Sequence, residues 1–196
     1  MKLELTEAVL RKAGWTDVPF LYELMLDGSL QGSFADRFLT ARGHVALLLY
    51  LLRGVKSSRP LNGLDGLVEH ARVTTLIFDT ADRPLGFVRC GTWRSADGCF
   101  HAEILNCAVA ASCRGAGIGG QMIRRYLERL PDDTEVTAHC TKYARAMQAT
   151  LKRLPFKRQR AAGRLECYRM TAGASEPAER PPPRRADARR PSHSSS

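Results

Sequence analysis

The chain has 196 residues, 44% of them apolar, and a formal net charge of +10. That length fits one domain with a sizeable core, and its longest apolar run, residues 45–52, is far short of the ~18 residues a membrane span needs. Residues 1–7 lack the basic-then-apolar order of an export signal, so the six cysteines, none spaced C-x-x-C, read as reduced thiols in a cytoplasm.

In chain order, residues 9–13 predict an opening strand. Thr16 and Asp17 then read as a helix N-cap, with Pro19 in the first turn, a stripe of Phe20, Leu21, Leu24 and Met25, and Gly28 as the stop. A second helix is expected from Ser33 to Gly54, burying Phe34, Phe38, Ala41, Val45, Leu48, Leu49 and Leu52. Residues 55–72 are polar and glycine-rich; so long a connection either helps admit a substrate or is a plain flexible link. Strands follow at 73–78, 85–93 and 99–109, separated by turns, and form an antiparallel meander. After a further helix the chain breaks at Pro131 and forms a strand over 134–140. A helix over 143–153 follows, with Ala146, Met147, Thr150, Leu151 and Leu154 on one face. The last strands, 156–160 and 165–170, turn at Gly163. From Ala172 the composition shifts to Pro, Arg, Ala and Ser, which cannot bury a core and predicts a disordered tail.

The informative stretch lies in the middle. Residues 103–109 read as a strand, and the next segment, Arg114-Gly115-Ala116-Gly117-Ile118-Gly119-Gly120, puts four glycines within six residues. Ile118, Met122, Ile123, Leu127 and Leu130 then recur at helical spacing. Strand, glycine loop and helix together make an anion site: glycines let the backbone approach a ligand, and the first helical amides add partial positive charge. A P-loop needs Lys-Ser/Thr after its last glycine, where Gln121-Met122 stands. Gly115, Gly117 and Gly120 fit the dinucleotide pattern G-x-G-x-x-G, but the acidic residue it needs at the end of the next strand is missing, because that strand ends Ala138-His139-Cys140. Cys113, beside the loop, is either a reactive thiol near a helix start or a small buried residue.

The remaining pattern, Arg114-x-x-Gly117-x-Gly119, resembles the acyl-CoA loop of the GNAT N-acetyltransferase superfamily. Ala102-Glu103-Ile104 with Cys107-Ala108-Val109 is similar to the preceding strand in the histone acetyltransferase branch, and the element order over residues 10–170 resembles the family too. The resemblance implies an α/β fold over residues 1–171: a mixed, mostly antiparallel sheet flanked by helices, with a splayed central strand pair, followed by a tail over 172–196. It implies an enzyme that moves acetyl from acetyl-CoA to a primary amine by direct attack in a ternary complex, without a metal. Glu103 would be the general base and the Cys107 backbone N–H the oxyanion donor. Cys107, Ala108 and Val109 would bind the pantetheine arm, and Arg114, Gly115, Ala116, Gly117, Ile118, Gly119 and Gly120 the pyrophosphate. The acceptor would be a small-molecule or protein amine, and the enzyme a monomer or homodimer. A lysine-type amine, with a pKa of about 10.4, must lose a proton before attack, and a strand carboxylate can take it. His101, two residues before Glu103 and on the same face, either assists or is structural. The family's usual proton donor to the leaving thiolate is a Tyr; here Leu151 holds that position and Pro155 replaces a usual Gly.

Two other readings stay open. The excess charge would also suit a nucleic-acid-binding module, although no recognised nucleic-acid motif is present and the five tail arginines are mixed with Glu176, Glu179 and Asp187. Leu151 leaves room for a catalytically weak acyl-CoA sensor. No membrane partner is expected.

Overall fold

The computed structural model describes residues 8–56, 71–159 and 165–173. Val9–Lys12 (β1), Arg72–Asp79 (β2), Pro84–Arg94 (β3) and Phe100–Val109 (β4) pair antiparallel in succession. Glu135–Thr141 (β5) lies parallel to β4. Leu165–Thr171 (β7) pairs antiparallel with β5, and Lys157–Arg158 (β6) with β7. Together they form a seven-stranded sheet in the order β1-β2-β3-β4-β5-β7-β6. Val18–Leu30 (α1), Ala41–Lys56 (α2), Ile118–Leu127 (α3) and Arg145–Lys152 (α4) flank it. This is the mixed, mostly antiparallel α/β architecture expected above. Helix α3 is the crossover that lets β4 and β5 run parallel.

One sheet face packs on α3 and α4, burying Cys90, Ala102, Ile104, Val136, Ala138 and Tyr168 against Ile118, Met122, Ile123 and Leu151. The other packs on α1 and α2 around Leu21, Leu47, Leu51, Ile77 and Phe87. On β5 and β7 that second face is left partly in solvent: Thr137 and Cys167 are half-buried, His139 and Arg169 exposed. Among the described residues no helix is long and apolar enough to cross a membrane.

The helix termini differ from expectation for identifiable reasons. Asp17 does sit at the N-cap of α1, with Pro19 in the first turn, but its side chain does not cap the helix. Its carboxylate instead accepts two hydrogen bonds from the Arg11 guanidinium and one from the Gly14 N–H, all at 2.7 Å. Gly28 does not stop α1, which runs on to Leu30; the Phe34 ring stands 2.4 Å from where a Cβ on Gly28 would be, so the glycine serves close packing. Helix α2 begins at Ala41, not Ser33, because a 3-10 turn, Asp36–Leu39, intervenes and the Thr40 hydroxyl caps it by accepting the Gly43 N–H at 3.0 Å. It continues through Gly54, which abuts the Arg89 guanidinium.

The buried face of α2 is also not the expected one. Gly43, Leu47, Tyr50, Leu51, Gly54 and Val55 face the core, while Val45, Leu48 and Leu49 are exposed. Residues 45–52 are apolar all round, so periodicity alone allowed two faces. The small Gly43 and Gly54 let the chosen face close on the Arg37 carbonyl and on Arg89. Helix α4 starts at Arg145, leaving Tyr143 in the turn before it. The long connection is described only at Val55, Lys56, Ala71 and Arg72; the rest of it, the turn at Gly163 and all of the tail beyond Gly173 lie outside the described residues.

Candidate active site

β4 and β5 pair only from His101 opposite Glu135 to Ile104 opposite Ala138. Beyond that point β4 runs on to Val109 and β5 to Thr141 without pairing, so the central strands part as expected. On its other edge β4 stays on β3, but Arg89 faces Asn106 while Cys90 faces Ile104, leaving Leu105 bulged out. A bulge increases local twist, and this one sits where the parting begins. The edge of residues 105–109 that faces away from β3 therefore has no strand partner among the described residues.

Glu103 lies one residue before the end of the paired stretch, level with Thr137 and on the partly open face. Its Oε1 is 2.9 Å from Nδ1 of His139, which is two residues further along β5 on the same face. Glu103 is 19% exposed and His139 37%, so the pair is reachable from solvent while the carboxylate is mostly covered. A carboxylate oxygen accepts from a ring N–H, so the contact suits a hydrogen placed on Nδ1. Sequence reasoning missed His139. The signal was register: once β5 is known to lie parallel to β4, position 139 falls beside 103.

His101 shares that face but is engaged otherwise. Its ring stacks on Trp93 at 5.5 Å, its Nε2 is 3.1 Å from Ser95 Oγ, and its Nδ1 is 3.8 Å from Glu135. This is the structural role, and the carboxylate beside it is Glu135. Cys107 is half-buried on the unpaired stretch of β4. Burial, with Cys140 near by, pushes its thiol up to about 12, which disfavours the thiolate at neutral pH.

The glycine loop leads from β4 into α3. Gly115 and Gly117 adopt φ of +80° and +76°, a region L side chains rarely enter, and no atom lies within 4 Å of where their Cβ atoms would be. Gly117 is the N-cap of α3 and supplies no side-chain cap, so the first amides of the helix face outward without an internal acceptor. Ile118 is fully buried and can offer only its amide; Gly119 and Gly120 lie near Thr150 of α4. Arg114 donates from Nε to the Val109 carbonyl at 3.1 Å and forms an ion pair with Asp27 of α1. The loop is thus tied to both β4 and the helix layer opposite. Cys113 is buried, which leaves the packing role and not the reactive one. Leu151, the position where the resemblance implies a Tyr, is fully buried. Tyr143 is 59% exposed beside Gly32, whose carbonyl accepts from the Thr141 hydroxyl at 3.0 Å.

Residues 54–156, just over half of the chain and the whole stretch from β2 to α4, match the model of the acetyltransferase (GNAT) family. The chain belongs to the GNAT acetyltransferase family. Acetyl transfer is therefore the general chemistry of this domain. No curated protein sequence matches it significantly. Among solved structures, this GNAT chain is similar to an acetyltransferase from Thermus thermophilus, at 14% identity and a TM-score of 0.59 over 84% of this chain and 96% of that one. It is similar to spermidine N-acetyltransferase from Vibrio cholerae in complex with CoA and spermine, at 13% identity and a TM-score of 0.59 over 85% and 96%. It is also similar to the PaiA N-acetyltransferase from Thermoplasma acidophilum in complex with coenzyme A, at 14% identity and a TM-score of 0.60 over 84% and 98%. The GNAT match holds Glu103, His139 and the glycine loop, whereas α1 and all of α2 before Gly54 precede it.

Proposed function

We propose that this chain moves an acetyl group from acetyl-CoA to a primary amine by direct attack in a ternary complex. One observation carries the reading: Glu103 and His139 are joined at 2.9 Å where β4 leaves β5 and turns toward the glycine loop. Coenzyme A in the Vibrio and Thermoplasma structures supports the donor. The residues fit that group. The unpaired edge at Cys107, Ala108 and Val109 offers strand-like hydrogen bonds to the pantetheine arm. Arg114 and the amides of Gly115, Ala116, Gly117, Ile118, Gly119 and Gly120 offer a cradle for pyrophosphate. When bound, the coenzyme supplies the activated acetyl group.

Glu103 is the base, and its hydrogen bond to His139 makes the two a single proton-accepting unit. The Cys107 N–H donates toward the carbonyl oxygen as negative charge grows there, an interaction worth about 3 kcal/mol. Leu151 has no proton to give, so the thiolate leaves unassisted; a thiol pKa of about 8.5 makes that tolerable. The acceptor, a small-molecule or protein amine, reaches Glu103 from the open face of β5. The six free cysteines support a cytoplasmic setting.

The Glu103→Gln variant tests the assignment. Thiol release with acetyl-CoA and an amine panel should fall by about a hundredfold or more, while coenzyme affinity, measured by calorimetry, stays within about twofold. Unchanged turnover would remove Glu103 from the role. The buried Leu151 favours one other reading, an acyl-CoA sensor; it expects the wild-type chain to bind the coenzyme and release no thiol with any amine.

A further inference from the structure

Helix α2 presents apolar side chains in two directions. Leu47, Tyr50, Leu51 and Val55 enter the core. Val45, Leu48 and Leu49 repeat at i, i+3 and i+4 on the opposite side, where Val45 is 60% exposed, Leu48 43% and Leu49 48%; Leu52, at i+7, is half-buried against the core and closes the stripe. With Val18, Pro19 and Tyr22 of α1 and with His44, the residues Val45 and Leu48 line an open groove of about 350 Å³ between the two helices. The Tyr22 hydroxyl and His44 Nδ1 are 2.7 Å apart there, joining two of the groove's polar atoms. A regular apolar stripe on a surface marks a docking site.

The charges around it are one-sided. Helix α2 contains no acidic residue, and exposed Arg42, Arg53 and Lys56 bracket the stripe. On α1 the exposed Glu23 follows Tyr22. We propose that this groove docks an amphipathic helix from a different protein, with apolar residues at matching spacing toward the groove and acidic residues along its flanks over α2. Such a helix adds a third layer to the α1–α2 hairpin, its side chains filling the hollow and its carboxylates meeting Arg42 and Arg53.

The alternatives fit less well. A second copy related by a two-fold axis sets α2 against α2: in an antiparallel pair Arg42 of each copy meets Arg53 and Lys56 of the other, and in a parallel pair each meets its own counterpart, like against like either way. A bilayer accepts a convex apolar ridge, whereas Val45 and Leu48 line a shallow hollow between α1 and α2. The stripe lies before residue 54, in the part of the chain that the family model does not cover.

The test uses the full chain and two synthetic helical peptides of about 14 residues, each with Leu at i, i+3, i+4 and i+7. One has Glu flanks and the other Lys flanks. Calorimetry should detect saturable binding of the Glu peptide, at least about tenfold weaker binding of the Lys peptide, and about tenfold weaker binding of the Glu peptide to Leu48→Glu and to Arg42→Glu. Leu48→Glu removes an exposed residue, and unchanged thermal unfolding would verify that the variant folds. No saturable binding of the Glu peptide, or equal binding to Leu48→Glu, overturns the proposal. Sedimentation of the chain alone as a dimer that Leu48→Glu dissolves would give the face to a second copy instead. Pelleting with phosphatidylserine vesicles that Leu48→Glu abolishes would give it to a membrane surface.

Discussion

His139 sets the chemistry of its neighbour by having two ring nitrogens. Nδ1 lies 2.9 Å from Glu103 Oε1, so the contact orients the ring and turns Nε2 away from the carboxylate. Replacing His139 by Ala removes that partner without opening the core, because the side chain is 37% exposed. Turnover should fall by about a hundredfold and coenzyme affinity should hold, as steady-state kinetics and calorimetry would reveal. An equal loss in both would make His139 a structural residue. Asp17 is the second residue whose environment makes a prediction. Hydrogen bonds from Arg11 hold its carboxyl below the usual carboxylate range, against the opposing pull of burial. A depressed folded pKa contributes stability that is present above the unfolded value, about 3.9, and is lost as pH falls through the lower folded value. At pH 7 Asp17→Asn should therefore be about 2 kcal/mol less stable in urea. Below about pH 4 the gap between the two proteins should narrow, because the wild type alone loses this contribution. A gap independent of pH would mean that the pairing with Arg11 is not its source.

The β4–loop–α3 element works through backbone shape more than through side chains. Gly117 holds φ at +76° as the N-cap of α3, and Gly98, in the turn between β3 and β4, holds +86°. Neither would clash with anything if given a Cβ, so an alanine at either place meets only the conformational cost of about 1–2 kcal/mol. Gly98→Ala isolates that cost. Gly117→Ala adds to it a shift of the amides proposed to face the coenzyme. Both variants should melt a few degrees lower, but only Gly117→Ala should weaken coenzyme binding, by about tenfold. If Gly98→Ala weakens it equally, the loss reports general loosening and the cradle assignment fails.

At the scale of the molecule, what sequence revealed and what it hid divide by range. The meander and the glycine loop were legible because their signals are local: apolar runs bounded by turns within residues 85–109 and glycines packed into 115–120. The parting of β4 from β5 was implied only by the family resemblance. The inward face of α2 was not legible, because residues 45–52 are apolar in every direction and the choice was made by Gly43 and Gly54 against distant partners. His139 was hidden for a similar reason: its neighbour Glu103 is 36 residues away and meets it only through the parallel register of β4 and β5. The net charge of +10 is likewise a whole-molecule property, spread along the sequence and not confined to the loop. A field of that kind speeds the arrival of a polyanionic coenzyme without adding a contact, and salt screens it over a Debye length of about 10 Å at 0.1 M. Stopped-flow binding of coenzyme A should therefore give an association rate that falls about tenfold between roughly 20 mM and 500 mM salt. The dissociation rate, which the proposed cradle assigns to the amides of the loop and Arg114, should change much less over the same range. An association rate that does not vary with salt would assign capture of the coenzyme to the loop alone and leave the distributed charge without a part in it.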